Sequence, residues 1–385
     1  MTDTANPAWK LGPVREPLDR DVSKRIDVLR IILIGLIVLA HGARGITVRI
    51  VGETAPAAQF MLDVLNGHVD FVAVPLFFAI SGFLFLRKEE LSLPAYGEML
   101  RKKCLSVLVP YILFNAGLAA WFYFVGSIEM MGSWNFLVGE GLFTKTFGLG
   151  TTPINYPLWF LRDLLVVFLV SPLFLLFFKE APGLGLAALF CLWSGLSEGP
   201  YSYLGDMFAF YLGGYMARCR LPLAGVAWWQ RAGAWAFVLL TAVLVGYKSL
   251  GFTDEAVRQF LFKANLVLGI VAFWRMSAVP FIRDSAVLRR MGRHSFFVYL
   301  AHEPTMSVLQ TRLLSVWRPA GAAQQIVFYF ASGLIVIVGL WLLAELLSRF
   351  VPAVYGFLTG ARTKPVRAAT ASGPAVRPPD GTGRI

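Results

Sequence analysis

The sequence predicts an all-α, polytopic integral membrane protein of about ten transmembrane helices, with both termini cytoplasmic. Three observations predict it. The 385 residues are 57% hydrophobic and only 15% charged, with a mean hydropathy of +0.64, whereas a soluble domain carries about a quarter charged residues. Apolar runs long enough to cross a bilayer, roughly 17 to 25 residues as helix, recur along the chain. The basic residues fall on alternate loops. Disorder and a disulfide-stapled secreted fold are excluded, since Cys104, Cys191 and Cys219 form no CxxC or similar spacing. No metal site is expected.

The runs lie near 26–42, 69–86, 105–126, 158–178, 183–197, 203–217, 232–247, 260–274, 296–316 and 326–344; the fifth and sixth are short. Residues 1–25 lack the apolar core of a cleaved signal peptide, so they form a cytoplasmic N-terminal segment and the first span stays as an anchor. Residues 26–350 form one membrane domain. Residues 351–385 form a cytoplasmic, mostly disordered basic tail. Of the 35 basic residues, 25 lie at the termini and on one set of loops and six on the other, which puts the basic set inside. The net charge of +12 is then a topology signal, and nucleic acid is not needed as a partner. The remaining four, Arg30, Arg162, Lys263 and Arg312, fall within or at the ends of spans, where an ionisable group is costly and marks a functional lead unless it snorkels.

The first span, KRIDVLRIILIGLIVLAHGARG, is interrupted by Asp27, Arg30 and His41. Eleven residues at about 100° each leave Arg30 and His41 about 20° apart on one face and about 16 Å apart along the axis. A fixed cation below and a titratable imidazole above suit a long anionic donor such as acyl-CoA. Its phosphates would meet Arg30, and its thin arm would carry the acyl group toward His41 as general base. Spacing alone leaves a second reading open, with Arg30 a topological anchor paired to Asp27 and His41 an interfacial polar residue.

Arg30, ten intervening residues and His41 resemble the R-x10-H signature of the membrane acyltransferase 3 family, O-acyltransferases of bacterial envelope polysaccharides. Phe77-Phe78-Ala79-Ile80-Ser81-Gly82-Phe83 is similar to its FFxxSGF segment and Pro157-Leu158-Trp159-Phe160-Leu161 to its LWFL segment. Phe210-Tyr211-Leu212-Gly213-Gly214 resembles its glycine-bearing sixth helix, and Tyr299-Leu300-Ala301-His302-Glu303-Pro304 matches YLxHxP. The resemblance covers about residues 24–350. It implies transfer of an acyl group, acetyl or succinyl, from cytoplasmic acyl-CoA to a glycan hydroxyl, in a multi-pass protein of the bacterial inner membrane. His41 matches the essential residue and Arg30 the donor-associated one. A looser similarity to the transacylases encoded with bacterial cellulose synthesis genes makes cellulose or another exopolysaccharide the expected acceptor, and polysaccharide synthase components possible partners.

Two departures from the family pattern shift other roles. Pro75 stands where the family often has Asp, leaving Asp70 as the carboxylate to orient His41, or as a helix-start residue with no part in chemistry. In Arg101-Lys102-Lys103-Cys104-Leu105-Ser106, Ser106 replaces a second Arg, so Lys103 keeps half of a donor contact, unless these charges only set topology. Trp159 and Arg162 are candidates for holding the acceptor sugar, against an interfacial belt and a local pair with Asp163. His302, two turns into a helix that starts inside, is placed in the cytoplasmic half, for donor binding or a structural kink at Pro304. Ser81-Gly82 has no G-x-S-x-G elbow and reads as a packing pair. The rival functions are a transporter or flippase for a glycan or lipid-linked precursor, and a noncatalytic synthase subunit. No cofactor is expected to be bound; acyl-CoA is a substrate.

Overall fold

The computed structural model describes residues 17–47, 54–87, 93–128, 131–196, 202–247 and 250–360. Residues 1–16 of the expected N-terminal segment and residues 361–385 of the expected tail lie outside them. The described residues are helical apart from loops and one isolated bridge between Ile128 and Gly132. Helices occupy all ten expected segments: α1 Arg20–Gly42, α2 Pro56–Leu86, α3 Tyr96–Phe124, α4 Trp159–Glu180, α5 Pro182–Leu196, α6 Tyr203–Arg218, α7 Trp228–Val245, α8 Glu255–Ser277, α9 Ser295–Val316 and α10 Ala322–Phe350. Among the described residues, seven are long and apolar enough to cross a membrane: α1 to α4, α7, α8 and α10. Of the other three, α5 and α6 are short, with 15 and 16 residues, and α9 carries polar groups along its length.

Helix α1 runs through the centre, packing against α2, α8, α9 and α10. It begins more than a turn before its apolar run because Asp19 caps it, accepting from the amides of Asp21 and Val22. Arg25, expected as the last residue of the cytoplasmic N-terminal segment, is instead fully buried. Its guanidinium donates to the carbonyls of Leu223, Gly225 and Trp274 and to Ser277 Oγ, and stacks 4.1 Å from the Trp274 ring. It therefore staples α1 to α8 and to the segment after α6.

The tightest crossing joins α2 to α6. Gly82 leaves no room for a side chain against the Phe210 carbonyl, nor Gly213 against the Ala79 carbonyl, so two motif glycines let the backbones meet, as small residues do between membrane helices. Two π-turns, Leu65–Val69 in α2 and Cys104–Leu108 in α3, break the regular hydrogen-bond ladder where helices border cavities. The fold also runs beyond residue 350. A further helix, α11 Pro352–Thr359, folds back against α3, α9 and α10, and His294 Nδ1 pairs with Tyr355 Oη at 2.8 Å to hold it there.

Candidate active site

His41, in the last turn of α1, lines a cavity of about 560 Å³ together with Arg44, Asn66, Asp70, Tyr156 and Trp159. Arg30 lines a second, of about 410 Å³, with Ser106, Ser295, Thr359 and Gly360. Ile37, Phe160 and Tyr299 line both. The two cavities therefore sit along one side of α1, as the eleven-residue spacing requires, and share these three side chains as a wall.

The imidazole of His41 is held by Tyr156, whose hydroxyl lies 2.8 Å from Nδ1 with the rings edge to face. Tyr156 in turn is placed by a proline. Pro304 inside α9 has no N–H to offer the Leu300 carbonyl four residues back, and Asn155 Nδ2 donates to that carbonyl instead, at 3.1 Å. Asn155 is also fixed through its own amide, which donates to Asn115 Oδ1 at 2.8 Å. The Pro of YLxHxP thus seats the residue beside Tyr156. The side chains of Glu303 and Arg44 both lie close enough to the Tyr156 hydroxyl to act on it electrostatically. Glu303 is buried and receives a bond from Ser307 Oγ at 3.0 Å.

His302 departs from its expected place. Its ring lies 5.1 Å from that of His41, centroid to centroid, and not at the level of Arg30. The reason is geometric: α1 and α9 lie side by side, with the last turn of α1 against Met306 and Gln310 of α9, and counting residues along each span does not reveal how far one helix is shifted along the other. His302 Nδ1 is 2.6 Å from the Tyr299 carbonyl oxygen, and its Nε2 has no hydrogen-bond partner among the described residues.

Asp70 does reach the His41 cavity, in a 3-10 turn that follows the π-turn. The π-turn is anchored by Asn66, which donates to the Ala40 carbonyl at 3.3 Å and accepts from the Tyr329 hydroxyl at 3.0 Å. Asp70 is buried and its Oδ1 has no hydrogen-bond partner among the described residues; the hydrogen bond expected from it to His41 is made by Tyr156. Trp159 lines the cavity as expected. Arg162 does not: its guanidinium is spent on the carbonyls of Gly148 and Thr151 and on Asp163 Oδ1, at 2.6 to 2.9 Å, and so holds the loop before α4.

On the Arg30 side, Arg30 bonds Asp27 at 3.2 Å, both half exposed. Lys103 sits 4.9 Å over the Phe168 ring and does not line the Arg30 cavity; Ser106, at the substituted motif position, does. Sequence reasoning missed Tyr156 and Arg44 as site residues. The available signals were Tyr156 three residues before Trp159 and Arg44 one turn beyond His41.

A family model described as an acyltransferase domain matches residues 23–345. The chain is also 28% identical, over 94% of its length and 97% of the relative's, to the succinoglycan biosynthesis protein ExoH of Rhizobium meliloti (strain 1021). No solved structure matches it. Its ordered motifs, helical fold and matched length agree: the chain is an acyltransferase that belongs to the membrane acyltransferase 3 family.

Proposed function

We propose that the protein is a multi-pass inner-membrane O-acyltransferase with both termini cytoplasmic, moving an acetyl or succinyl group from acyl-CoA to a hydroxyl of an exopolysaccharide. Cellulose is one such acceptor. The similarity to a protein of succinoglycan biosynthesis supports the exopolysaccharide class. The observation that carries the reading is the pair of cavities beside α1, Arg30 in one and His41 in the other, with Ile37, Phe160 and Tyr299 lining both.

In this reading Arg30 meets the donor phosphates, because a guanidinium stays charged and matches phosphate geometry. The pantetheine arm passes the shared wall and presents the thioester beside His41. Glu303, as a carboxylate, accepts from the Tyr156 hydroxyl, and Tyr156 Oη then accepts from His41 Nδ1–H. That leaves His41 Nε2 unprotonated and able to take the acceptor proton. As the acceptor oxygen bonds to the thioester carbon, its proton passes to Nε2; the C–S bond breaks and the leaving thiolate takes the proton back. Trp159 offers a face for the acceptor sugar ring.

The deciding experiment uses full-length protein in nanodiscs with radiolabelled acyl-CoA and de-esterified exopolysaccharide. His41→Gln should lower transfer about 10²- to 10⁴-fold, the usual contribution of a general base, with the melting temperature kept. Normal transfer by that variant would remove His41 from the chemistry.

A further inference from the structure

We propose that the transferred acyl group ends in a free carboxylate, which Arg44 holds beside His41. This rests on the acyl-transfer reading of the His41 cavity and names the donor class that fits it.

Arg44 lines the same cavity as His41 and lies three residues further along the chain, so its side chain emerges about 5 to 6 Å away on the same face. Its guanidinium is fixed relative to the reacting imidazole: Cζ stacks 4.6 Å over the ring of Tyr156, and the Tyr156 hydroxyl is 2.8 Å from His41 Nδ1. Among the described residues, no carboxylate lies within 4.0 Å of that guanidinium. Two other buried or half-buried arginines are spent internally, Arg25 on carbonyls and Arg162 on carbonyls and Asp163. Arg44 is therefore a cation presented to the reaction cavity, and a stacked guanidinium keeps in-plane N–H groups for a bidentate carboxylate.

The short distance selects the source of the anion. A group held by Arg44 while its neighbour is attacked beside His41 must lie a few bonds from the reacting carbon. Two methylenes between thioester and carboxylate, as in succinyl, meet that requirement. A methyl group leaves Arg44 idle, and a carboxylate on an acidic sugar is separated from the attacking hydroxyl by the ring. In the transfer the acceptor oxygen bonds to the thioester carbon, the C–S bond breaks and the acceptor proton reaches the thiolate through His41. The terminal carboxylate is unchanged and leaves as the free end of a half-ester.

The test compares radiolabelled succinyl-CoA and acetyl-CoA with one de-esterified acceptor and full-length protein in nanodiscs. Wild-type kcat/KM should favour succinyl-CoA by about tenfold or more. Arg44→Gln should lower the succinyl-to-acetyl ratio about 10- to 100-fold, in line with loss of a charge-assisted pair, and Arg44→Lys should regain part of it. A wild-type preference for acetyl-CoA, which needs no variant to measure, overturns the proposal alone. So does an Arg44→Gln protein that loses both donors in proportion. Transfer from neither donor overturns the acyl-CoA reading and this proposal with it.

Discussion

The imidazoles of His41 and His302 lie 5.1 Å apart at 40° to each other, and only one of them has a free choice of tautomer. His302 Nδ1 faces the Tyr299 carbonyl at 2.6 Å. A carbonyl only accepts, so the proton sits on Nδ1 and the neutral ring presents a bare Nε2 lone pair. His41 Nδ1 faces a hydroxyl, which both donates and accepts.

His302→Gln follows from that difference. A glutamine side chain reaches the Tyr299 carbonyl as a donor while removing the neighbouring imidazole. We expect the fold to persist and kcat to fall about 10- to 100-fold, with donor KM little changed, because His302 lies with His41 and not with Arg30. A rise in donor KM at constant kcat would return His302 to the donor side.

Tyr156→Phe removes the hydroxyl that holds His41 and through which the proposed relay reaches Glu303. The tyrosine ring still stacks with Arg44 in the phenylalanine variant, so lost orientation is isolated from lost packing. Transfer should fall about tenfold or more, and Glu303→Gln should fall with it. The double variant should be little worse than either single one, since residues acting through one chain are not additive. Additive losses would separate the two residues.

Arg30→Ala should raise the KM for acyl-CoA about tenfold or more and leave kcat nearer the wild-type value, with Arg30→Lys intermediate because a point charge lacks the planar fork. The check is a donor titration at saturating acceptor. Unchanged donor KM would assign Arg30 to its surface pair with Asp27 only.

Gly82→Ala tests the α2–α6 crossing. The new methyl group would press on the Phe210 carbonyl, a backbone atom that cannot swing aside. Overpacking of this kind costs about 1 to 3 kcal/mol, so the melting temperature in detergent should drop by several degrees, with activity lost through stability. An unaltered melting curve would mean that the helices separate without penalty.

Much of this architecture was legible because apolar period and length are local properties. Each of the ten runs is a helix, and the angular match of Arg30 to His41 survives in the adjoining cavities. What escaped depends on how helices cross. Residue counting placed His302 by its distance from a helix start, yet the way α9 lies along α1 brings its ring to 5.1 Å from that of His41. Arg162 looked like a ligand because it is charged and near a span; its partners are loop carbonyls 11 and 14 residues upstream, which no periodicity announces. Tyr156 is positioned by Pro304 through Asn155, a link across about 150 residues of chain. Helix α11 is short and begins at Pro352, so it resembled the start of a tail.

The wall formed by Ile37, Phe160 and Tyr299 also has an electrical consequence. In a bilayer whose two aqueous sides fill the two cavities, most of the membrane voltage falls across that thin apolar layer and not over the full hydrocarbon thickness. A carboxylate-bearing acyl group moving from a negative interior through the layer would gain about 2.3 kcal/mol per 100 mV. An uncharged acetyl group would gain nothing, so the voltage itself would help to choose the cargo.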